Sequence, residues 1–60
     1  MKSNWLANKR NAKGYSHQEI ADLVGIDRPY YTKIENGLIP SVKVARSIAK
    51  NLDFEWTIFF

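Results

Sequence analysis

The chain has 60 residues and a mass of 7.0 kDa, a length at which folding buries only about 60% of the unfolded surface, so it can hold one domain with one small core. With 45% hydrophobic, 13% aromatic and 25% charged residues it has the composition of an ordered globule, and the lack of cysteine excludes a disulfide framework, a thiolate zinc site and a cysteine nucleophile. Nine basic against six acidic residues give a net charge of +3 and a pI near 9.5, which suits a polyanionic partner without requiring one.

The apolar runs are too short to span a membrane, and the stretch Met1-Lys2-Ser3-Asn4-Trp5 lacks the apolar segment of a secretion signal, so the expected location is the cytoplasm. A globule with a radius of gyration of about 10 Å leaves no room for an enclosed substrate cavity, which weighs against an enzyme.

Glycine, proline and capping residues divide the chain into five short segments. The first is predicted as a helix from about Asn4 to Lys13, closed at Gly14, with Leu6 and Arg10 on one face at i, i+4 spacing. Ser16 then offers a hydroxyl to the open amides of a second helix, and Glu19 three residues on completes a capping box. Ile20, Ala21, Leu23 and Val24 form the predicted apolar stripe of this helix, and Gly25 stops it. Asp27 is the cap expected for a third helix, in which Pro29 is harmless because first-turn amides have no intrahelical partner. Tyr31 and Ile34 make its inner face, and Asn36-Gly37 ends it. After Pro40 and Ser41, the repeat Val44, Ala45, Ile48, Ala49, Leu52 predicts a fourth helix, with Lys43, Arg46 and Lys50 on the opposite side. The stretch Phe54 to Phe60 fits a strand or a helix by pattern alone. A lone strand would have no partner, so a last helical turn or two is expected, and the fold class is all-α with five helices in one domain over residues 1–60.

The residues from His17 to Asn36 form one unit. Two short helices meeting at roughly 90 to 120° need a small residue where they approach, here Ala21, and a glycine at the turn, here Gly25. They also need apolar residues that close the corner: Ile20, Val24, Ile26, Tyr31 and Ile34. A helix-turn-helix at residues 17–36 follows from the joint pattern.

These residues, with Gly14-Tyr15-Ser16-His17-Gln18-Glu19-Ile20-Ala21, Val24-Gly25-Ile26, Lys33-Ile34-Glu35-Asn36-Gly37 and Pro40-Ser41 ahead of Ile48-Ala49, resemble the Cro and cI phage-repressor type of helix-turn-helix domain, also called Xre-like. The resemblance covers nearly the whole chain. It implies a compact five-helix fold, in agreement with the count from punctuation, whose third helix enters the DNA major groove. The chain departs from the family at Asp27, where Ser or Thr is usual and a carboxylate would repel phosphate, and at Pro29 and Tyr31, where a polar and an aliphatic residue are common. A capping role turned away from the DNA would reconcile Asp27 with the family.

The resemblance places Arg28 in the groove, and its planar fork matches guanine O6 and N7. Thr32 and Lys33 follow one turn later, so the expected reading face is Arg28, Pro29, Thr32 and Lys33, with a proline ring able to pack on a thymine methyl. A plain solvated helix face would use the same residue types. Phosphate contacts need donors only: His17 and Gln18 at the start of the second helix, which the family turns toward the DNA backbone, and Tyr30, Asn36 and Lys43 elsewhere. The resemblance also implies a salt bridge from Arg10 to Glu35 that orients the third helix, since an isolated ion pair is a poor source of stability.

Phe54, Ile58 and Phe59 are expected to cover the open end of the bundle, whereas Trp56 and Phe60 are candidates for a dimer seam. A symmetric pair of reading helices about 34 Å apart would then match a two-fold site. The function expected is a sequence-specific, double-stranded DNA-binding regulator, a Cro-like or immunity repressor of a phage or mobile element acting as a homodimer. No cofactor, metal or small-molecule effector is expected. The alternative is an antitoxin or protein-binding module on the same fold, favoured by Asp27. Ser16, His17 and Asp22 are the one group that suggests an enzyme, and neighbours at a helix start diverge too far to align as nucleophile and base.

Overall fold

The computed structural model of the protein describes residues 4–60; Met1, Lys2 and Ser3 of the N-terminal stretch lie outside the described residues. Four α-helices follow in order: α1 at Trp5–Ala12, α2 at His17–Val24, α3 at Arg28–Glu35 and α4 at Val42–Leu52, with a 3₁₀ turn at Trp56–Phe59. No strand occurs among the described residues. The radius of gyration is 10.2 Å.

Each helix starts where a side chain can satisfy first-turn amides that have no intrahelical partner. The Ser16 hydroxyl accepts from Glu19 N at 3.0 Å while Ser16 N donates to the Glu19 carboxylate at 2.8 Å, so the capping box is complete. Asp27 accepts from Tyr30 N at 2.9 Å, and Ser41 from Val44 N at 3.3 Å. Gly25, at φ 85°, ends α2 in the left-handed conformation that costs glycine nothing.

The fifth helix is where expectation and structure part. Asp53, at φ 62°, closes α4, and the residues left over form a tight 3₁₀ turn with Ile58 N donating to Glu55 O and Phe60 N to Thr57 O. So few residues cannot repay the cost of nucleating an α-helix, whereas 3₁₀ geometry suits short pieces. The count is therefore four helices and a 3₁₀ turn.

Helix α2 sits at the centre, packed against α3 and α4, and α4 carries the 3₁₀ turn. Leu6, Ile20, Ala21, Tyr31, Ile34, Ile48 and Leu52 form the core, with Ala21 fully buried where α2 needs a small side chain. Two side chains expected inside lie outside. Leu23 is 51% exposed because, at 3.6 residues per turn, it falls about 105° from the middle of the Ile20, Ala21 and Val24 face. Ile58 is 56% exposed because the 3₁₀ turn directs Phe59 inward instead. Phe54 and Phe59 close the end of the bundle around Trp5, with ring centroids 5.2 and 5.3 Å from the indole and near-perpendicular packing for Phe54. This aromatic cluster ties α1 to the end of the chain.

Candidate nucleic-acid interface

Helix α3 is anchored on one side and open on the other. Tyr31 and Ile34 hold it to the core, while Arg28, Pro29 and Lys33 are exposed and Thr32 is half-buried. The Asp27 carboxylate that precedes them is committed to Tyr30 N. One of its oxygens satisfies an open amide of the first turn, where the helix dipole favours a negative charge.

A polar cluster sits behind this face. Arg10 Nε donates to Glu35 Oε2 at 2.7 Å, with the two side chains only 12% and 5% exposed, and Arg10 also donates to Tyr15 O at 2.7 Å. Burial alone would lower the Arg10 pKa, but the hydrogen bond and charge of Glu35 more than reverse that and raise it. The pair joins α1 to α3 across 25 residues of sequence. Tyr31 lies close enough to both to feel their charges, yet its hydroxyl forms no hydrogen bond of proper length and angle. Its phenol pKa is raised, first by burial and then by the Glu35 carboxylate, with Arg10 opposing.

His17 departs from the outward role expected of it. Nδ1 lies 2.9 Å from the Thr32 hydroxyl, Nε2 lies 3.4 Å from Glu35 Oε1, and the ring packs edge-on to Tyr31 at 5.5 Å. Both ring nitrogens therefore lie beside side chains of α3. No sequence pattern marks this link, because His17 and Thr32 stand 15 residues apart on separate helices.

The other candidates for phosphate differ in freedom. Gln18 is exposed, with its amide donating to Asp22 at 2.9 Å, an exposed pairing that water or phosphate can replace. Asn36 donates through its side-chain amide to Thr32 O at 3.0 Å. Tyr30 packs its ring partly against the core, and Lys43 is exposed on the first turn of α4.

Trp56 is half-buried beneath the Arg46 guanidinium, 5.9 Å from the ring centroid, and its other neighbour is Phe60, edge-to-face at 5.9 Å. Phe60 is 64% exposed. No group of three or more metal-binding side chains is present among the described residues, and no helix there is long and apolar enough to cross a membrane.

A family model described as helix-turn-helix matches residues 6–59. The chain is 48% identical over 61 residues to an uncharacterized HTH-type transcriptional regulator, YqaF, of Bacillus subtilis (strain 168), an alignment that takes in 100% of this chain and 80% of that protein. No solved structure matches.

Proposed function

We propose, for a chain that belongs to the helix-turn-helix family of the Cro and cI type, that it is a DNA-binding transcriptional regulator which reads a two-fold operator as a homodimer. The observation that carries the reading is the two-sided character of α3. Its inner face is locked by Tyr31 and Ile34, so Arg28, Pro29, Thr32 and Lys33 are held at a defined angle. A fixed helix with an arginine on its first turn suits the major groove, where a guanidinium matches guanine O6 and N7.

Gln18, Tyr30, Asn36 and Lys43 supply the phosphate contacts in this reading, and His17 supports α3 from behind. The Arg10 to Glu35 bridge orients the reading helix. Regulation follows from occupying promoter DNA, which makes the protein a repressor in the manner of Cro or an immunity repressor, working where the DNA is, in the cytoplasm. Asp27 caps α3, a role that reconciles its carboxylate with a DNA-facing helix.

Arg28 and Lys43 separate base reading from backbone attraction. Arg28→Ala should cost about 1 to 3 kcal/mol per half-site and relax preference at one base pair. Lys43→Ala should weaken all sequences alike and lower the salt slope by about one unit per contact removed. The measurement is affinity for a selected operator, its single-base variants and random duplex across a salt series. Equal loss on every duplex from Arg28→Ala, with base discrimination intact, would remove Arg28 from the reading face.

A further inference from the structure

His17 belongs to α2 by sequence and to α3 by contact. Its Nδ1 stands 2.9 Å from Thr32 Oγ1 and its Nε2 3.4 Å from Glu35 Oε1. The titratable and charged groups around it are Glu35 and Tyr31 on α3 and, behind Glu35, Arg10 on α1, which holds the other carboxylate oxygen. Thr32 is half-buried, one turn after Arg28.

A neutral imidazole has one donor and one acceptor. The Glu35 carboxylate favours the proton on Nε2, since the other tautomer would aim a lone pair at an anion. Nδ1 is then an acceptor, and the Thr32 hydroxyl must donate to it. A hydroxyl has one proton and two lone pairs, so Thr32 has only acceptor capacity left for anything outside. When the ring takes a second proton, Nδ1–H donates, Thr32 accepts, and the hydroxyl proton is released to point outward. Thr32 changes from acceptor only to a donor that keeps one free lone pair, with no heavy atom moving.

We propose that His17 sets the hydrogen-bond polarity of Thr32 and through it the base that α3 selects at that position. The proposal rests on the DNA-reading function above. In the major groove adenine N6 and cytosine N4 are donors, whereas guanine O6 and thymine O4 are acceptors. With neutral His17, Thr32 can only accept and selects an amino-bearing base; with charged His17 it can also donate, so keto-bearing bases are admitted and the preference relaxes. Histidine as a side-chain type can take either state, so acid and alkaline buffers are the means of sampling both.

Two measurements test this, and they fail separately. Nitrogen NMR of the free, labelled protein reads the ring directly, and the chain has one histidine, so the signals need no further assignment. At pH 8 the proton should sit on Nε2; a proton on Nδ1 overturns the proposal whatever the DNA result. Selection from a random duplex library at pH 8.0 and pH 5.5, with helicity checked at both, reads the consequence. One operator position should prefer adenine or cytosine at pH 8.0 and lose that preference at pH 5.5, by about threefold to tenfold, the range of a single hydrogen bond. Thr32→Val should abolish the change, and His17→Gln should leave one preference at both pH values. Identical preferences at both pH values in the natural protein, or a change that survives Thr32→Val, overturn the proposal. Should His17→Gln fail to fold, Thr32→Val carries the test alone. The expected tautomer with no base preference at any position would instead overturn the DNA-reading function, and this inference with it.

Discussion

Tyr31 carries the one buried side-chain polar atom without a hydrogen-bond partner among the described residues. An uncompensated buried hydroxyl costs about 1 to 3 kcal/mol, and the Tyr31 ring offsets it by filling the centre of the core with complete burial. The consequence is a pH dependence with a definite sign. Burial, reinforced by Glu35, raises the phenol above its ordinary value of 10.0, so the folded chain keeps a proton that the unfolded chain releases. Below pH 10 both states hold it and stability is unaffected. As pH rises past 10, stability falls by at most about 1.4 kcal/mol per unit from this group. In a Tyr15→Phe, Tyr30→Phe background the tyrosinate absorbance should therefore appear together with loss of the helical circular dichroism signal. Tyrosinate forming while the helices remain intact would show the phenol to be accessible. Arg10 behaves differently: its pKa is also raised, so its charge on Glu35 persists through the same alkaline range.

The elements are set by their ends more than by their interiors. Asn4, Ser16, Asp27 and Ser41 each accept a hydrogen bond from an amide three residues on, and all four helices begin that way. Gly25 shows that backbone conformation alone can make a residue necessary. A Cβ at Gly25 would meet nothing within 4 Å, so steric crowding by neighbours is not the reason for the glycine. The reason is φ 85°, where an L side chain costs about 1 to 2 kcal/mol against its own backbone. Gly25→Ala should lower stability by about that amount in a denaturant titration. Gly25→Asn should lower it less, because a short polar side chain tolerates the left-handed region, as Asp53 does at φ 62°. Equal stability of the alanine variant and the natural protein would show that the turn relaxes to another conformation.

At the scale of the whole molecule, a small core leaves apolar surface over. Leu38, Ile39, Ile58 and Phe60 are 45%, 61%, 56% and 64% exposed, and a groove of about 240 Å³ opens beside Leu38, Ile39 and Ile58 between Trp5, Leu6 and Phe59. Two apolar regions thus compete for a dimer seam, and the proposed one runs through Trp56 and Phe60. Phe60→Ser should leave stability within about 0.5 kcal/mol, because the ring is mostly in water already. Truncating a seam aromatic should nevertheless cost 1 kcal/mol or more of association, about fivefold or greater. Sedimentation and operator titration of Trp56→Ala, Phe60→Ser and Ile39→Ser would separate the two regions. Loss in Ile39→Ser with none in the other two would move the seam to the groove.

The helix boundaries, the caps and the helix-turn-helix were legible in the sequence because each depends on residues within about four positions of one another. Ser16 with Glu19, Gly25 alone, and the 3.6-residue repeat of α4 carry their meaning locally. Only the family resemblance pairs Arg10 with Glu35, since nothing in 25 residues of separation links them. Periodicity puts Leu23 and Ile58 inside because it gives a stripe without its exact bearing, and the neighbours that a stripe meets decide which side chains it covers. The last segment became a 3₁₀ turn because Asp53 ended α4 and the Trp5 ring offered Phe54 and Phe59 a place to pack, both tertiary conditions. His17 is the clearest case. Its position at a helix start reads as a site for anions, yet the Thr32 hydroxyl and Glu35 carboxylate that α3 brings beside it turn both nitrogens inward. A side chain's chemistry is fixed by its residue type, but its partners exist only once the chain has folded.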